Sequence, residues 1–158
     1  MPAPRSLIIP EATWDATARL VTGYAEAKVE AGLYWYGIRS ADVAVVIVAG
    51  IPQQTNRRQN FVVNDDDLAA LVKGIPDGLV VVAQIHTHPN SDTLHSKWDD
   101  GLIVSQKILS LVLPKYGRAA SLREAGVHEF IDGRWMMLSP EKVAERVLIV
   151  PGVFDVRR

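Results

Sequence analysis

Residues 79–89 read Leu79-Val80-Val81-Val82-Ala83-Gln84-Ile85-His86-Thr87-His88-Pro89, an apolar run that ends in two histidines and a proline. The run predicts a buried strand, and Pro89 predicts its end, because proline cannot donate to a sheet ladder. Residues i and i+2 of a strand point to the same side. The imidazoles of His86 and His88 should therefore leave the strand end together, at a spacing that suits one metal ion.

Seven residues further on, Ser96-Lys97-Trp98-Asp99 allows two interpretations. Ser96 at the N-cap and Asp99 at the third helical position would form a capping box. Alternatively, Asp99 would join His86 and His88, because two neutral nitrogens and one carboxylate are a common ligand set for a catalytic zinc, with the fourth position left to water. We expect that one carboxylate does not readily serve both purposes.

This ordered set of features resembles the JAB/MPN (JAMM) metallopeptidase family, whose signature is a glutamate upstream of His-(Ser/Thr)-His-Pro and then Ser-x-x-Asp. The matching residues here are His86, Thr87, His88, Pro89, Ser96 and Asp99. The upstream glutamate of the family opens a run of the form Glu-x-Gly-Gly-x-x-x-Gly. Glu30, Gly32 and Gly37 match that run, and Leu33 departs from it at the second glycine. The resemblance covers residues 7–150.

The resemblance implies an α/β (α+β) fold, a mixed β-sheet flanked by helices that is similar in architecture to cytidine deaminases. It also implies a zinc-dependent isopeptidase that cleaves amide bonds at the C-terminus of a ubiquitin-like protein. In such an enzyme His86, His88 and Asp99 hold one Zn²⁺, Glu30 transfers the proton and Ser96 donates to the oxyanion. Without the resemblance, Glu30 would be interpreted as a solvated carboxylate at a helix end.

The family also suggests partners and alternatives. The implied substrate is a ubiquitin-like or sulfur-carrier protein, and some relatives work beside ubiquitin-activating-like and conjugating-like enzymes, including in antiphage defence. A metallopeptidase that processes a sulfur-carrier adduct would use the same ligands. A non-catalytic MPN scaffold is the alternative from another class, although such members usually lack the metal ligands. A zinc deaminase is disfavoured because its cysteine ligands are absent.

Composition narrows the function classes further. The 158 residues predict one domain, and the absence of cysteine excludes disulfides, thiolate catalysis and cysteine-bound zinc. A net charge of −1 and a pI near 6.4 give no indication of binding to nucleic acid or to an anionic membrane. No apolar run reaches the roughly 18 residues of a membrane helix, and the N-terminus lacks a signal-peptide core. We therefore expect a cytoplasmic protein.

The remaining periodicity predicts an alternation of strands and helices. Further strands are expected at residues 7–9, 33–38, 43–48, 61–63, 108–113, 127–131, 134–138 and 147–150, and helices at 11–29, 65–73, 100–107 and 139–146. His95 is expected in a surface loop, although it could line the cleft, and His128 is expected to be structural. Trp98 either walls the site or packs. The tail at 155–158 is expected to be mobile.

Overall fold

The computed structural model describes residues 2–118, 121–152 and 157. In chain order the elements are β1 (Ser6–Pro10), α1 (Glu11–Ala27), β2 (Gly32–Arg39), β3 (Val43–Gly50), β4 (Thr55–Asn56), β5 (Phe61–Val62), α2 (Asp65–Gly74), β6 (Val80–Thr87), α3 (Lys97–Leu102), β7 (Leu109–Leu113), a 3₁₀ turn (Lys115–Gly117), β8 (Gly126–Ile131), β9 (Arg134–Met137), α4 (Pro140–Arg146) and β10 (Val147–Val150).

Within the described residues, eight strands form one mixed sheet in the order β10-β1-β3-β2-β6-β7-β8-β9. Strand β1 is parallel to both β10 and β3, whereas β2 is antiparallel to β3 and β6. Strand β6 is parallel to β7, and β7, β8 and β9 continue antiparallel. Strands β4 and β5 form a separate small hairpin. The mixed sheet with flanking helices confirms the predicted α+β fold class.

The core lies along the central strands, and β7 is buried over its whole length. Continuous burial is what a largely apolar run predicts for a strand covered on both faces. Helix α1 is joined to the sheet through Trp35, whose indole nitrogen donates to Thr17 Oγ1 at 2.8 Å. Trp14 packs against Trp35, with ring centroids 6.1 Å apart. Trp14 is half-buried and packs against the core.

Two glycines of β2 are required by close approach. A β-carbon on Gly37 would lie 1.8 Å from the carbonyl oxygen of Val45, at a register shift between β2 and β3. A β-carbon on Gly32 would lie 2.2 Å from the ring of Phe61. Leu33, where the sequence departs from the family pattern, is fully buried in the core. The Leu33 side chain therefore packs in the core without disturbing β2, the strand that follows Glu30.

The helix predicted at residues 100–107 is wrong in its extent, because α3 begins at Lys97 and ends at Leu102. The side chain of Gln84, on β6, explains the early end. Its Nε2 donates to the carbonyl of Leu102 at 3.0 Å, and its Oε1 accepts from the amide of Val104 at 3.0 Å. These bonds provide partners for backbone groups at the helix end.

The other predicted elements are present within two residues of their expected bounds, and β10 lies at the sheet edge as expected. In the described ranges, each helix is too short or too polar to cross a lipid bilayer. The predicted mobility concerns the tail at 155–158, of which residues 155, 156 and 158 lie outside the described residues.

Candidate metal centre

The two histidines of the motif lie at the end of β6, between two neighbouring strands. His86 pairs with Gly32 of β2 on one side and with Val112 of β7 on the other. The amide of His88 donates to the carbonyl of Leu113 at 2.9 Å, so the backbone stays fixed beyond the last strand residue. The Nε2 atoms of His86 and His88 lie 3.2 Å apart. The predicted convergence of the two imidazoles is therefore present.

Asp99 comes to the same point from the first turn of α3. Its Oδ2 lies 3.2 Å from His88 Nε2, and its Oδ1 lies 3.5 Å from His86 Nε2. Two atoms bound to one tetrahedral metal at about 2.0–2.1 Å are about 3.3 Å apart. The separation of the two histidine nitrogens is close to that edge, each imidazole lies near a different oxygen of Asp99, and one ligand atom from each residue lies within 4.8 Å of the others. These residues form a group close enough to hold a metal ion.

The protonation states of Asp99 and His86 suit a cation. Burial alone would raise the pKa of Asp99, but its contacts with His86, His88 and the Ser96 amide hold the pKa well below its ordinary range. Burial lowers the pKa of His86, which favours the neutral imidazole that binds metals. Burial also acts to lower the pKa of His88, but contacts with Asp99 and the Asp92 carbonyl outweigh it and raise the pKa.

The orientation of His88 is set by a second contact. Its Nδ1 lies 2.8 Å from the carbonyl oxygen of Asp92, so the proton belongs on Nδ1 and the lone pair of Nε2 faces His86 and Asp99. A ligating histidine in proteins usually donates its other ring N–H in this way. The loop between the two halves of the motif thus contributes to the geometry of the centre.

Glu30 lies beside this group and is 4% exposed. Burial raises the pKa of its carboxyl to about 7, with the charge of His88 lowering it and that of Asp99 raising it. The interpretation of Glu30 as a solvated helix-end carboxylate is therefore wrong. Next to it, Ala31 and Thr87 are joined twice: Thr87 N donates to Ala31 O at 3.0 Å, and Ala31 N donates to Thr87 Oγ1 at 3.0 Å. These bonds anchor the start of β2 to the histidine strand.

The polar loop between β3 and β5 holds the backbone around Glu30. The Glu30 amide donates to Arg57 O at 2.8 Å, and its carbonyl accepts from Asn56 Nδ2 at 2.8 Å. The Gln54 side chain pairs with Gly32 like a neighbouring strand, accepting from its amide at 2.9 Å and donating to its carbonyl at 2.8 Å. The local sequence does not indicate this arrangement, because these contacts join residues more than twenty positions apart.

Ser96 forms the N-cap of α3, and its hydroxyl accepts from the Asp99 amide at 3.1 Å. The Asp99 carboxylate in turn accepts from the Ser96 amide, which completes the capping box. We expected that Asp99 would not readily serve as both cap and ligand, but the capped carboxylate still faces both imidazoles, so the geometry is compatible with both roles. The Ser96 hydroxyl keeps its own proton for donation, and its role toward an oxyanion stays a prediction.

His95 is the residue that the sequence misplaced. Its side chain is only 5% exposed and stacks on His128 with ring centroids 3.9 Å apart. Its Nε2 lies 2.9 Å from Ser110 Oγ and its Nδ1 lies 3.0 Å from Asp100 Oδ1. Its ring centroid is 5.5 Å from that of His86. His95 therefore lies in a loop, as expected, but its side chain is buried rather than at the surface, and its ring lies near that of His86.

His128 supports this packing, in agreement with its predicted structural role. Its Nε2 accepts from the backbone amide of His95 at 3.3 Å. Burial lowers the pKa of both His95 and His128 to about 3, so both rings are neutral at pH 7. No local signal marks His95 as buried, because β7 and β8 create its environment. Trp98, by contrast, is 54% exposed beside the buried Asp99.

Comparisons with known proteins identify the fold and leave the chemistry to the side chains. No family model matches the chain. No curated protein matches it either. Among solved structures, the chain is similar to the solution structure of protein DSY2949 from Desulfitobacterium hafniense, with a TM-score of 0.68 and 13% identity over 93% of this chain and 94% of that chain. At this identity the two chains share a fold.

Proposed function

We propose that this chain is a zinc-dependent isopeptidase of the JAMM type that cleaves amide bonds at the C-terminus of a ubiquitin-like protein. The observation that carries the proposal is the convergence of His86, His88 and Asp99 on one point, next to the buried carboxyl of Glu30. Two imidazoles and one carboxylate leave a tetrahedral metal one open position, which is typical of catalytic rather than structural zinc.

Zinc suits this donor set, because histidine nitrogens and a carboxylate oxygen are among its usual ligands. When bound, zinc supplies two effects: it lowers the pKa of a coordinated water from about 15.7 toward 7, and it polarises a scissile carbonyl. The depressed pKa of Asp99 keeps a negative charge in the group across the physiological pH range.

Glu30 provides the proton transfer. Its pKa of about 7 allows the carboxylate to accept a proton from the attacking water and the carboxylic acid to deliver that proton to the leaving amine. Both forms are populated near neutral pH, which is the condition for efficient acid–base catalysis. In this proposal the Ser96 hydroxyl donates a hydrogen bond to the oxyanion of the tetrahedral intermediate, and one such donor is worth about 3 kcal/mol.

The substrate class rests on the resemblance to the family. An extended C-terminal tail of a ubiquitin-like or sulfur-carrier protein would enter the site, and activating-like and conjugating-like enzymes would supply the conjugate in the cytoplasm. Amide cleavage then releases the modifier from an amine. Burying the carboxyl of Glu30 costs free energy. A scaffold that binds such a protein without cleaving it would have no function for this buried carboxyl.

A fusion-cleavage experiment tests the proposal. The full-length protein is incubated with a ubiquitin-like protein fused through its C-terminus to a reporter, with and without a chelator. We expect cleavage that the chelator abolishes and added zinc restores. Glu30→Gln should lose about 10²–10⁴-fold in kcat while it still binds zinc. Glu26→Gln, on the exposed face of α1, is the matched control and should be fully active.

Cleavage that continues in the chelator, or an equal rate from Glu30→Gln, would remove the proposed mechanism. Binding of the fusion without any cleavage by the zinc-loaded protein would favour the scaffold alternative.

A further inference from the structure

The turn after β7 holds two non-glycine residues in the left-handed region. Lys115 and Tyr116 have φ of 54° and 58°, and Gly117 follows with φ of 80°. Residues other than glycine rarely adopt this backbone conformation. They keep it only where contacts with the surrounding structure hold the backbone in place. Consecutive left-handed residues beside a candidate metal centre therefore call for a physical reason.

The reason lies in the backbone bonds of the turn. The Tyr116 amide donates to the carbonyl of His88 at 2.7 Å, and the Lys115 amide donates to the carbonyl of Asn90 at 2.8 Å. The two hydrogen bonds hold the backbone in place on both sides of Pro89. The His88 amide is already bonded to Leu113, the last residue of β7. The metal ligand His88 is thus held at both its amide and its carbonyl by one short segment.

The side chain of Tyr116 reaches in the other direction. Its hydroxyl donates to the carbonyl of Arg58 at 3.1 Å. The carbonyl of Arg57, the residue before Arg58, accepts a hydrogen bond from the Glu30 amide at 2.8 Å. Tyr116 is itself mostly buried, which restricts its rotamer. A continuous path therefore runs from His88 through Tyr116 to the loop that holds Glu30.

We propose that Tyr116 is a positioning residue that fixes the separation between the metal ligand His88 and the carboxyl of Glu30. The left-handed turn orients the backbone toward His88 and the phenol toward the Arg57–Arg58 segment. A proton carrier misplaced by about 1 Å can cost 10²-fold in rate. The effect on rate rests on the proposed function, whereas the mechanical link between the two residues does not.

Tyr116→Phe tests this inference, because it keeps the ring and the backbone bond to His88 and removes only the hydroxyl. In the full-length protein supplied with zinc, we expect the Glu30 amide to exchange its hydrogen about fivefold faster, as after loss of one neutral hydrogen bond. We expect kcat on the ubiquitin-like fusion to fall about tenfold or more, with KM and the zinc Kd unchanged. Tyr24→Phe, on α1, is the matched control and should change none of these quantities.

An unchanged exchange rate at Glu30 overturns the proposal, as does loss of zinc by Tyr116→Phe, which would make the hydroxyl a general support. Faster exchange with an unchanged kcat would also overturn it, because the link would then be structural only. If the wild-type protein binds zinc and cleaves no fusion, the proposed function fails, and the exchange comparison still decides whether Tyr116 couples the two residues.

Discussion

Ser96 and Asp99 bond each other reciprocally across the first turn of α3. The Asp99 amide donates to Ser96 Oγ at 3.1 Å, and the Ser96 amide donates to Asp99 Oδ2 at 2.6 Å. This capping box orients the carboxylate so that it also faces the Nε2 atoms of both histidines. Helix initiation and ligand orientation thus depend on the same pair of bonds.

Ser96→Ala should lower both stability and activity, for separable reasons. Loss of an N-cap hydroxyl costs about 1 kcal/mol in the free energy of unfolding. Loss of an oxyanion donor costs about 10²–10³ in kcat. Denaturant unfolding of the zinc-loaded protein measures the first effect, and steady-state cleavage of the fusion measures the second.

Ser96→Thr is the control for that prediction, because threonine keeps a hydroxyl that caps and donates. It should retain most of the stability and a large part of the activity. A kcat for Ser96→Ala equal to that of the wild type would exclude Ser96 as an oxyanion donor, even if the cap contribution were present.

Glu30→Gln should stabilise the metal-free protein at alkaline pH. The folded pKa of about 7 lies above the ordinary value of 4.5, so the folded state holds a proton that the unfolded chain has already lost. Stability therefore falls as the pH rises from 4.5 to 7 and is constant above that window. Glutamine avoids this loss, and the gain at pH 8 should be of the order of 3 kcal/mol.

Chemical denaturation at pH 4.5 and pH 8, in the presence of a chelator, provides the measurement. The stability difference between Glu30→Gln and the wild type should grow between the two pH values, whereas Glu26→Gln should follow the wild type. A difference that does not change with pH would mean that Glu30 titrates in the folded state as it does in the unfolded chain.

His128→Phe should reduce the acid sensitivity of the fold. Burial, with smaller contributions from His95 and His86, lowers the pKa of His128 from 6.5 to about 3. Below pH 6.5 this histidine binds a proton in the unfolded chain but stays neutral in the folded state. Stability therefore falls as the pH decreases toward 3. At pH 5 the contribution of one such histidine is about 2 kcal/mol.

Phenylalanine keeps a ring that can stack on His95, but it cannot titrate and cannot accept the hydrogen bond from the His95 amide. We expect a loss of about 1 kcal/mol at pH 8 from the missing hydrogen bond, together with a smaller drop between pH 8 and pH 5 than in the wild type. Denaturation of the metal-free proteins at the two pH values checks this. Equal drops in the two proteins would show that His128 is not the group responsible.

Much of the fold follows from local sequence pattern. The apolar run before His86 and the run over β7 predict buried strands, because strands covered on both faces carry few polar residues. The order of the strands does not follow, since β1 lies between β10 and β3 through contacts distant in sequence. The end of α3 was mispredicted for a similar reason, because the Gln84 side chain comes from another strand.

In the candidate site, too, some features follow from local sequence and others depend on residues that are distant in sequence. The approach of His86 and His88 follows from the two-residue period of a strand. The burial of Glu30 depends on the loop that contains Asn56 and Arg57, so only the family resemblance singled it out. His95 looked like a surface residue because its neighbours on β7 and β8 are distant in sequence. Burial of a polar side chain by distant strands leaves no mark in its own segment.

Zinc content per chain tests the central claim most directly. The protein is loaded with zinc, freed of excess ion and measured by elemental mass spectrometry, together with His86→Ala, His88→Ala, Asp99→Ala and Glu30→Gln. The account predicts one zinc per chain in the wild type and in Glu30→Gln, and loss of zinc in each of the three ligand variants. A wild-type chain that retains no zinc, or an Asp99→Ala chain that retains a full equivalent with unchanged affinity, would contradict it.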